Sequence, residues 1–230
     1  MVQIEVVSFD MEGTLITDTF SDLIWETDIP HLYAIRKDLD FETAKKMVLD
    51  EYATVGMEQP EWYDAGYWFR RLDIPGDWRS LLENRREDCE VYPETLQVLK
   101  NLSRRYRLIV SSNTIREFLT VQLTKLPQVF DQVFSAPSDF GMVKSEEFYG
   151  EICRILRLKP GAIAHIGDSL KFDYEAPDEL GINAFHLDRS GGAPGAHVVH
   201  DLMEFERRLE ELEDIDQGRG SKERNMGSEF

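Results

Sequence analysis

Basic residues, cysteines and long apolar runs are all scarce in this chain, and each scarcity removes a class of function. Lysine and arginine number 26 against 44 aspartates and glutamates, a formal net charge of −18 over 230 residues. So acidic a surface repels a nucleic-acid backbone and an anionic membrane at long range, so neither is expected as a partner. Cys89 and Cys153 are the only cysteines. Two are too few for a disulfide framework or a thiolate metal site, and both read as reduced packing residues. No apolar run approaches the ~20 residues that a membrane-spanning helix needs. The N-terminus passes directly into a strand without a basic leader, so a cytoplasmic location is expected. Histidines are few: His165 reads as a core residue bonded to backbone, and His197 and His200 fall in a loop without metal-ligand spacing.

What is present begins at Ile4–Ile16, IEVVSFDMEGTLI. A β-branched apolar run ends abruptly in a carboxylate, Asp10, followed by Glu12, Gly13 and Thr14. A buried strand delivering two acids to its C-terminal end, with a glycine permitting a tight turn, is active-site geometry in α/β proteins. Taken alone, the pair also fits a solvated turn or a helix cap. Three later segments converge with it. RLIVSSNT over 107–114 is a strand ending in Ser112 and Asn113, and GMVKSEEFY over 141–149 sets Lys144 just before a helical pattern. AIAHIGDSLKFD over 162–173 is a strand running into Asp168, with Asp173 five residues on.

These residues form one chemical set. The carboxylates suit Mg²⁺, which prefers oxygen ligands and leaves room for phosphate oxygens, while a lysine and a serine hydroxyl offset phosphoryl charge. The set reads as phosphoryl transfer through an aspartyl-phosphate.

The four segments, in this order, resemble the motifs of the haloacid dehalogenase (HAD) superfamily. FDMEGTL matches its first motif, Asp-x-Asp-Gly-Thr, with Glu12 in place of the second Asp, a form also used by the enolase-phosphatase branch. LIVSSN matches the second motif, Lys144 the third, with Ser145 where proline is frequent, and GDSLKFD the fourth. The resemblance implies Asp10 as nucleophile and Glu12 as general acid and then base. It implies Gly13, Thr14, Ser112, Asn113 and Lys144 around the phosphate, Ser112 and Lys144 serving catalysis as well. Mg²⁺ would be held by Asp10, the Glu12 backbone carbonyl, Asp168 and Asp173. The expected activity is hydrolysis of a small phosphorylated metabolite, with phosphomutase, 2-haloacid dehalogenase or a non-catalytic binding protein as alternatives. A monomer or weak homodimer is expected.

The expected fold is α/β, a Rossmann-like parallel sheet with helices on both faces and an inserted helical cap. The core takes residues 1–16 and 91–215 and the cap 17–90, with hinges near 16–19 and 90–93; residues 216–230 are expected to be disordered. Within the cap, 41–52 is helical with Phe41, Ala44, Val48 and Leu49 at the helical period, and later helices cover 62–72 and 78–86. Insertions at this place in the superfamily are mobile lids, so the resemblance implies a lid here. Of the cap aromatics Trp62, Tyr63, Tyr67, Trp68 and Phe69, one or two are candidates to face substrate, and Arg70 or Arg71 to reach the leaving group. In the core, strands are expected at 108–112, 130–136, 163–168 and 183–187. Helices are expected at 93–105 with Leu96, Leu99 and Leu102 on one face, at 115–126, at 146–156, and at 201–213 with Leu202, Phe205, Leu209 and Leu212 inward. The glycines at 191, 192 and 195 read as a surface loop.

Overall fold

A computed structural model describes residues 3–212; the tail at 216–230 lies outside them. Six strands, β1 (Val6–Phe9), β2 (Arg107–Ser112), β3 (Phe130–Ser135), β4 (Ile163–Gly167), β5 (Asn183–Leu187) and β6 (Val198–Val199), form one sheet in the order β3-β2-β1-β4-β5-β6. Every pairing is parallel. A strand buried on both sides reads as a continuous apolar run, and β1 is buried at all four residues. Chain order leaves β1 toward β2 and β3, then returns to β4 on its other side. The crevice at the C-terminal ends of β1 and β4 is therefore the topological switch point, where open α/β sheets bind ligands.

Successive side chains alternate across the sheet and sort into two cores. Val7, Phe9, Leu108, Val110, Ala164 and Ile166 face one, and Val6, Ile109 and Ile163 the other. The second is closed by Phe148, Tyr149, Ile152 and Leu156 of helix α8 (Glu146–Leu156). The first is closed by α6 (Thr95–Leu102), α7 (Arg116–Leu123) and a helix over 202–212.

Between β1 and β2 the chain is helical. α1 (Thr19–Leu23) runs through a π turn, Ile24–Asp28, into α2 (Ile29–Lys37); α3 (Phe41–Val55), α4 (Ala65–Arg71) and α5 (Arg79–Arg85) follow. Asp40 caps α3 by accepting from the Thr43 amide at 3.0 Å, and Asp64 caps α4 by accepting from Gly66 at 2.7 Å. The crossings into and out of this insertion lie side by side. The Thr17 amide donates to Glu90, the Tyr92 amide donates to Leu15, and Ile16 and Val91 form an antiparallel bridge. Phe118 of α7 anchors the insertion, meeting Phe20, Trp25 and Trp78 at ring-centroid distances of 5.7, 5.6 and 6.3 Å.

Several expectations are corrected. Leu96 is 50% exposed, and Val98 takes its place beside Leu99 and Leu102. In α3, Leu49 is exposed and Tyr52 is buried with Ala44 and Val48. Leu212 is 37% exposed, whereas Leu202, Phe205 and Leu209 are buried. Helix 62–72 is split into a 3₁₀ turn at Pro60–Tyr63 and α4, because Asp64 adopts extended backbone as the cap. The two-residue β6 was not anticipated.

Candidate active site

At the end of β1 the Asp10 amide donates to Ile166 at 2.9 Å, and the side chain turns into the crevice. Lys144 meets it there. The ammonium lies 2.8 Å from Asp10 Oδ1 and 2.6 Å from Asp173 Oδ1, and all three side chains are nearly inaccessible to water. Burial alone would lower the Lys144 pKa, but the two carboxylates outweigh it and hold it above its ordinary value. Oxygens of Asp10, Asp168 and Asp173 lie within 4.8 Å of one another. Three carboxylates thus face one ammonium, and the surplus negative charge is what a divalent cation would neutralise. The titration behaviour carries the same imprint. Asp173 is lowered, because Lys144 and the bond to His165 overcome burial. Asp10 and Asp168 are raised, first by burial and then by neighbouring carboxylates. Asp168 is raised even though its side chain reaches solvent, since it stands over Asp10 and Asp173 in a recess.

Two glycines make this crowding possible. Gly13 has φ +69°, and a Cβ there would lie 2.4 Å from Asp168 Oδ2. A Cβ on Gly167 would lie 2.2 Å from Asp173 Cγ. Neither position admits a side chain without displacing a carboxylate.

Lys144 is fixed from both directions. Its amide donates to Asn113 Oδ1 at 2.7 Å, tying it to the end of β2. Ser145, standing where proline is frequent in the resemblance, caps α8 by accepting from the Phe148 amide at 3.3 Å. Ser112 Oγ accepts from the Thr114 amide at 3.2 Å, and Asn113 Nδ2 donates to Tyr63 of the insertion at 3.2 Å. Asp173 receives the Ser169 amide at 3.1 Å while Ser169, not Asp173, caps the turn that follows.

Glu12 is held apart from the carboxylate cluster. Its Oε1 accepts from Ser21 Oγ of α1 and from Gln122 Nε2 of α7. Burial, against the pull of these two bonds, raises it to about 7. Its donors come from the insertion and from the core, so the residue sits on the seam between them. Thr14 is fully buried, and its Oγ1 has no hydrogen-bond partner.

Two groups escaped the sequence reading. Arg189, after β5, donates to the carbonyls of Gly13 and Thr14 at 3.1 and 2.8 Å and to Glu94 at 2.7 Å, with its guanidinium 3.5 Å from the Tyr92 ring centre. It pins the turn that carries Glu12 and Gly13. Its position just past an apolar strand was the only available signal. Gln122 carried none, whereas Tyr63, one of the cap aromatics named as candidates, does reach the site through Asn113. His165 is also corrected: it bonds side chains and not backbone. Its Nδ1 lies 2.8 Å from Ser8 Oγ, and its Nε2 lies 3.0 Å from both Asp173 and the Tyr149 hydroxyl. Ser111 continues this chain to Ser8 at 2.8 Å. Arg70 pairs with Asp64, and Arg71 donates to Glu51, Tyr67 and Thr54, so both are committed within the insertion. His197 stacks on Tyr174 beside a groove of about 530 Å³ that none of the site residues lines.

The model of the haloacid dehalogenase-like hydrolases matches residues 4–181. The chain belongs to that family. No match was found among curated proteins. Among solved structures, a HAD phosphatase from Thermococcus onnurineus superposes with a TM-score of 0.79 at 22% identity, over 90% of this chain and 98% of that one. A 2-haloacid dehalogenase from Pseudomonas syringae pv. Tomato DC3000 gives 0.62 at 20% identity, over 91% and 100%. The HAD hydrolase YfnB from Bacillus subtilis, bound to magnesium, gives 0.64 at 17%, over 90% and 99%. At these identities the likeness establishes the fold. Among the described residues no helix is long and apolar enough to cross a membrane.

Proposed function

We propose that this HAD hydrolase is a Mg²⁺-dependent phosphatase of small phosphorylated metabolites. The observation that carries the reading is the cluster of Asp10, Asp168 and Asp173 around Lys144 at the switch point, with a further carboxyl, Glu12, two residues from Asp10. Dehalogenation needs no cation and no proton for its halide leaving group, so the surplus clustered carboxylates and Glu12 favour the phosphatase. The surplus negative charge fits Mg²⁺, which Asp10, Asp168, Asp173 and the Glu12 carbonyl would hold. When bound, the ion would neutralise phosphate charge and orient the ester.

Asp10 attacks phosphorus, and the bond from phosphorus to the alcohol oxygen breaks. Glu12 gives its proton to that oxygen, releasing the alcohol. Glu12, now a carboxylate, takes a proton from water as the water oxygen attacks phosphorus of the acyl phosphate. Phosphate and the starting carboxylate of Asp10 result. Lys144 balances the charge on the transferring group, and Ser112 and the Asn113 amide receive its oxygens. The helices over 19–88 serve as the cap, with 16–19 and 90–93 as the paired hinges. Substrate size is limited by that cover.

Turnover of p-nitrophenyl phosphate with Mg²⁺ and with EDTA tests the reading. Hydrolysis that EDTA abolishes is expected. Release of chloride from 2-chloropropionate, unaffected by EDTA, would instead establish the dehalogenase.

A further inference from the structure

Beside Glu12, between the insertion and the core, lies a recess of about 130 Å³. Its walls are Trp25, Trp62, Tyr63 and Phe118, and Asp18 and Asp22 stand at its rim. A cavity of about 150 Å³ admits benzene, so this one takes a group of a few heavy atoms. Its place against Glu12 makes it the seat of the departing alcohol. Tyr63 borders the recess on the side toward the nucleophile, since its hydroxyl accepts from Asn113 and feels the charges of Lys144 and Asp10.

The wall chemistry is selective. Among the described residues, no lysine, arginine or histidine lines the recess. Lys144, whose charge reaches Tyr63, is paired with Asp10 and Asp173, and the cations that act on the rim acids are engaged as well. Arg189 is bound to Glu94 and two carbonyls, and Lys45 to Glu26 at 3.1 Å. An alcohol carrying a second carboxylate or phosphate would find no counter-charge here and would meet two acids. Aromatic faces with carboxylates nearby favour the opposite charge. Indole and phenol rings attract ammonium groups through their quadrupoles, as in sites that recognise choline and methylated lysine.

We propose that the preferred substrates are phosphomonoesters of short amino alcohols, with the ammonium group seated between Trp25, Trp62 and the rim acids. The proposal rests on the phosphatase reading above and deepens it. The reaction is unchanged: the ester oxygen leaves as the hydroxyl of the amino alcohol after taking the Glu12 proton.

The test compares kcat/KM for phosphocholine with that for 3,3-dimethylbutyl phosphate, which has the same shape without the charge, and for 3-phosphoglycerate, which adds a negative charge. Phosphocholine is expected to exceed the neutral isostere about tenfold or more, the range a desolvated cation–π contact supports, and 3-phosphoglycerate to rank last. In Asp22→Asn and in Trp62→Leu the ratio of phosphocholine to its isostere should fall toward one. A ratio near one in the wild type, with both esters hydrolysed, would overturn the proposal and leave the phosphatase reading standing. Preference for 3-phosphoglycerate would overturn it equally. Failure to hydrolyse any ester, p-nitrophenyl phosphate included, would remove the phosphatase reading and the proposal together.

Discussion

The extra methylene of Glu12 lets its carboxyl reach the seam between insertion and core, where Ser21 and Gln122 hold it. Burial there raises it to about 7, a value matched to proton transfer at neutral pH. The sign of the pH dependence follows. An acid must be protonated to act, so with an alkyl phosphate, whose alcohol leaves poorly, kcat should fall as pH rises through the region of this pKa. With p-nitrophenyl phosphate, whose leaving group needs no proton, the alkaline fall should shrink. Glu12→Gln should lower kcat on the alkyl ester by roughly 10²–10⁴-fold and remove the alkaline limb. An alkaline limb unchanged in that variant would assign the proton to another group. Much of this arrangement was legible in the sequence, because Asp10, Glu12, Lys144, Asp168 and Asp173 stand at fixed offsets after apolar runs. The partners of Glu12 were not visible, since Ser21 and Gln122 are ordinary helix residues whose roles arise only when two helices close on one carboxyl.

At the scale of elements, the strands with long β-branched or apolar runs were legible: β1, β2, β4 and β5 fall within a residue or two of expectation. β6 was not, because two residues carry no period. Helix faces were misjudged where a leucine was weighed by type and not by angle. Leu96 and Leu49 lie just off the buried stripes that Val98 and Val48 occupy. The polar chain Ser111–Ser8–His165–Asp173 was also hidden. Each member sits in or after an apolar strand, and only parallel registry of β2, β1 and β4 lines them up on the α8 face. Phe118 is the element-scale test. It is 1% exposed and meets three rings of the insertion. Phe118→Ala should cost about 3–5 kcal/mol of stability, the range for a buried phenylalanine, readable by urea unfolding. A loss within about 0.5 kcal/mol, the range of an ordinary surface substitution, would show that the insertion does not depend on this anchor.

For the whole molecule, a net charge of −18 and a crevice with three clustered carboxylates both disfavour the ion-free folded state. A cation that binds only the folded chain adds stability by mass action, about 2.7 kcal/mol at one hundred times its dissociation constant. For a chain of this size that raises Tm by roughly 5–10 °C. Saturating Mg²⁺ should produce such a shift by calorimetry, and Asp168→Ala should abolish most of it. An equal shift in Asp168→Ala would place the ion elsewhere on the acidic surface.

The proposed phosphatase requires that phosphoryl groups pass through Asp10. The most direct measurement is a single turnover with a ³²P-labelled phosphomonoester and Mg²⁺, quenched in acid within milliseconds and mapped by peptide. Label should appear transiently on the peptide containing Asp10, be released by hydroxylamine as an acyl phosphate, and be absent from Asp10→Asn and from EDTA-treated enzyme. Phosphate released at full rate with no protein-bound label, or label on any other residue, would contradict the account.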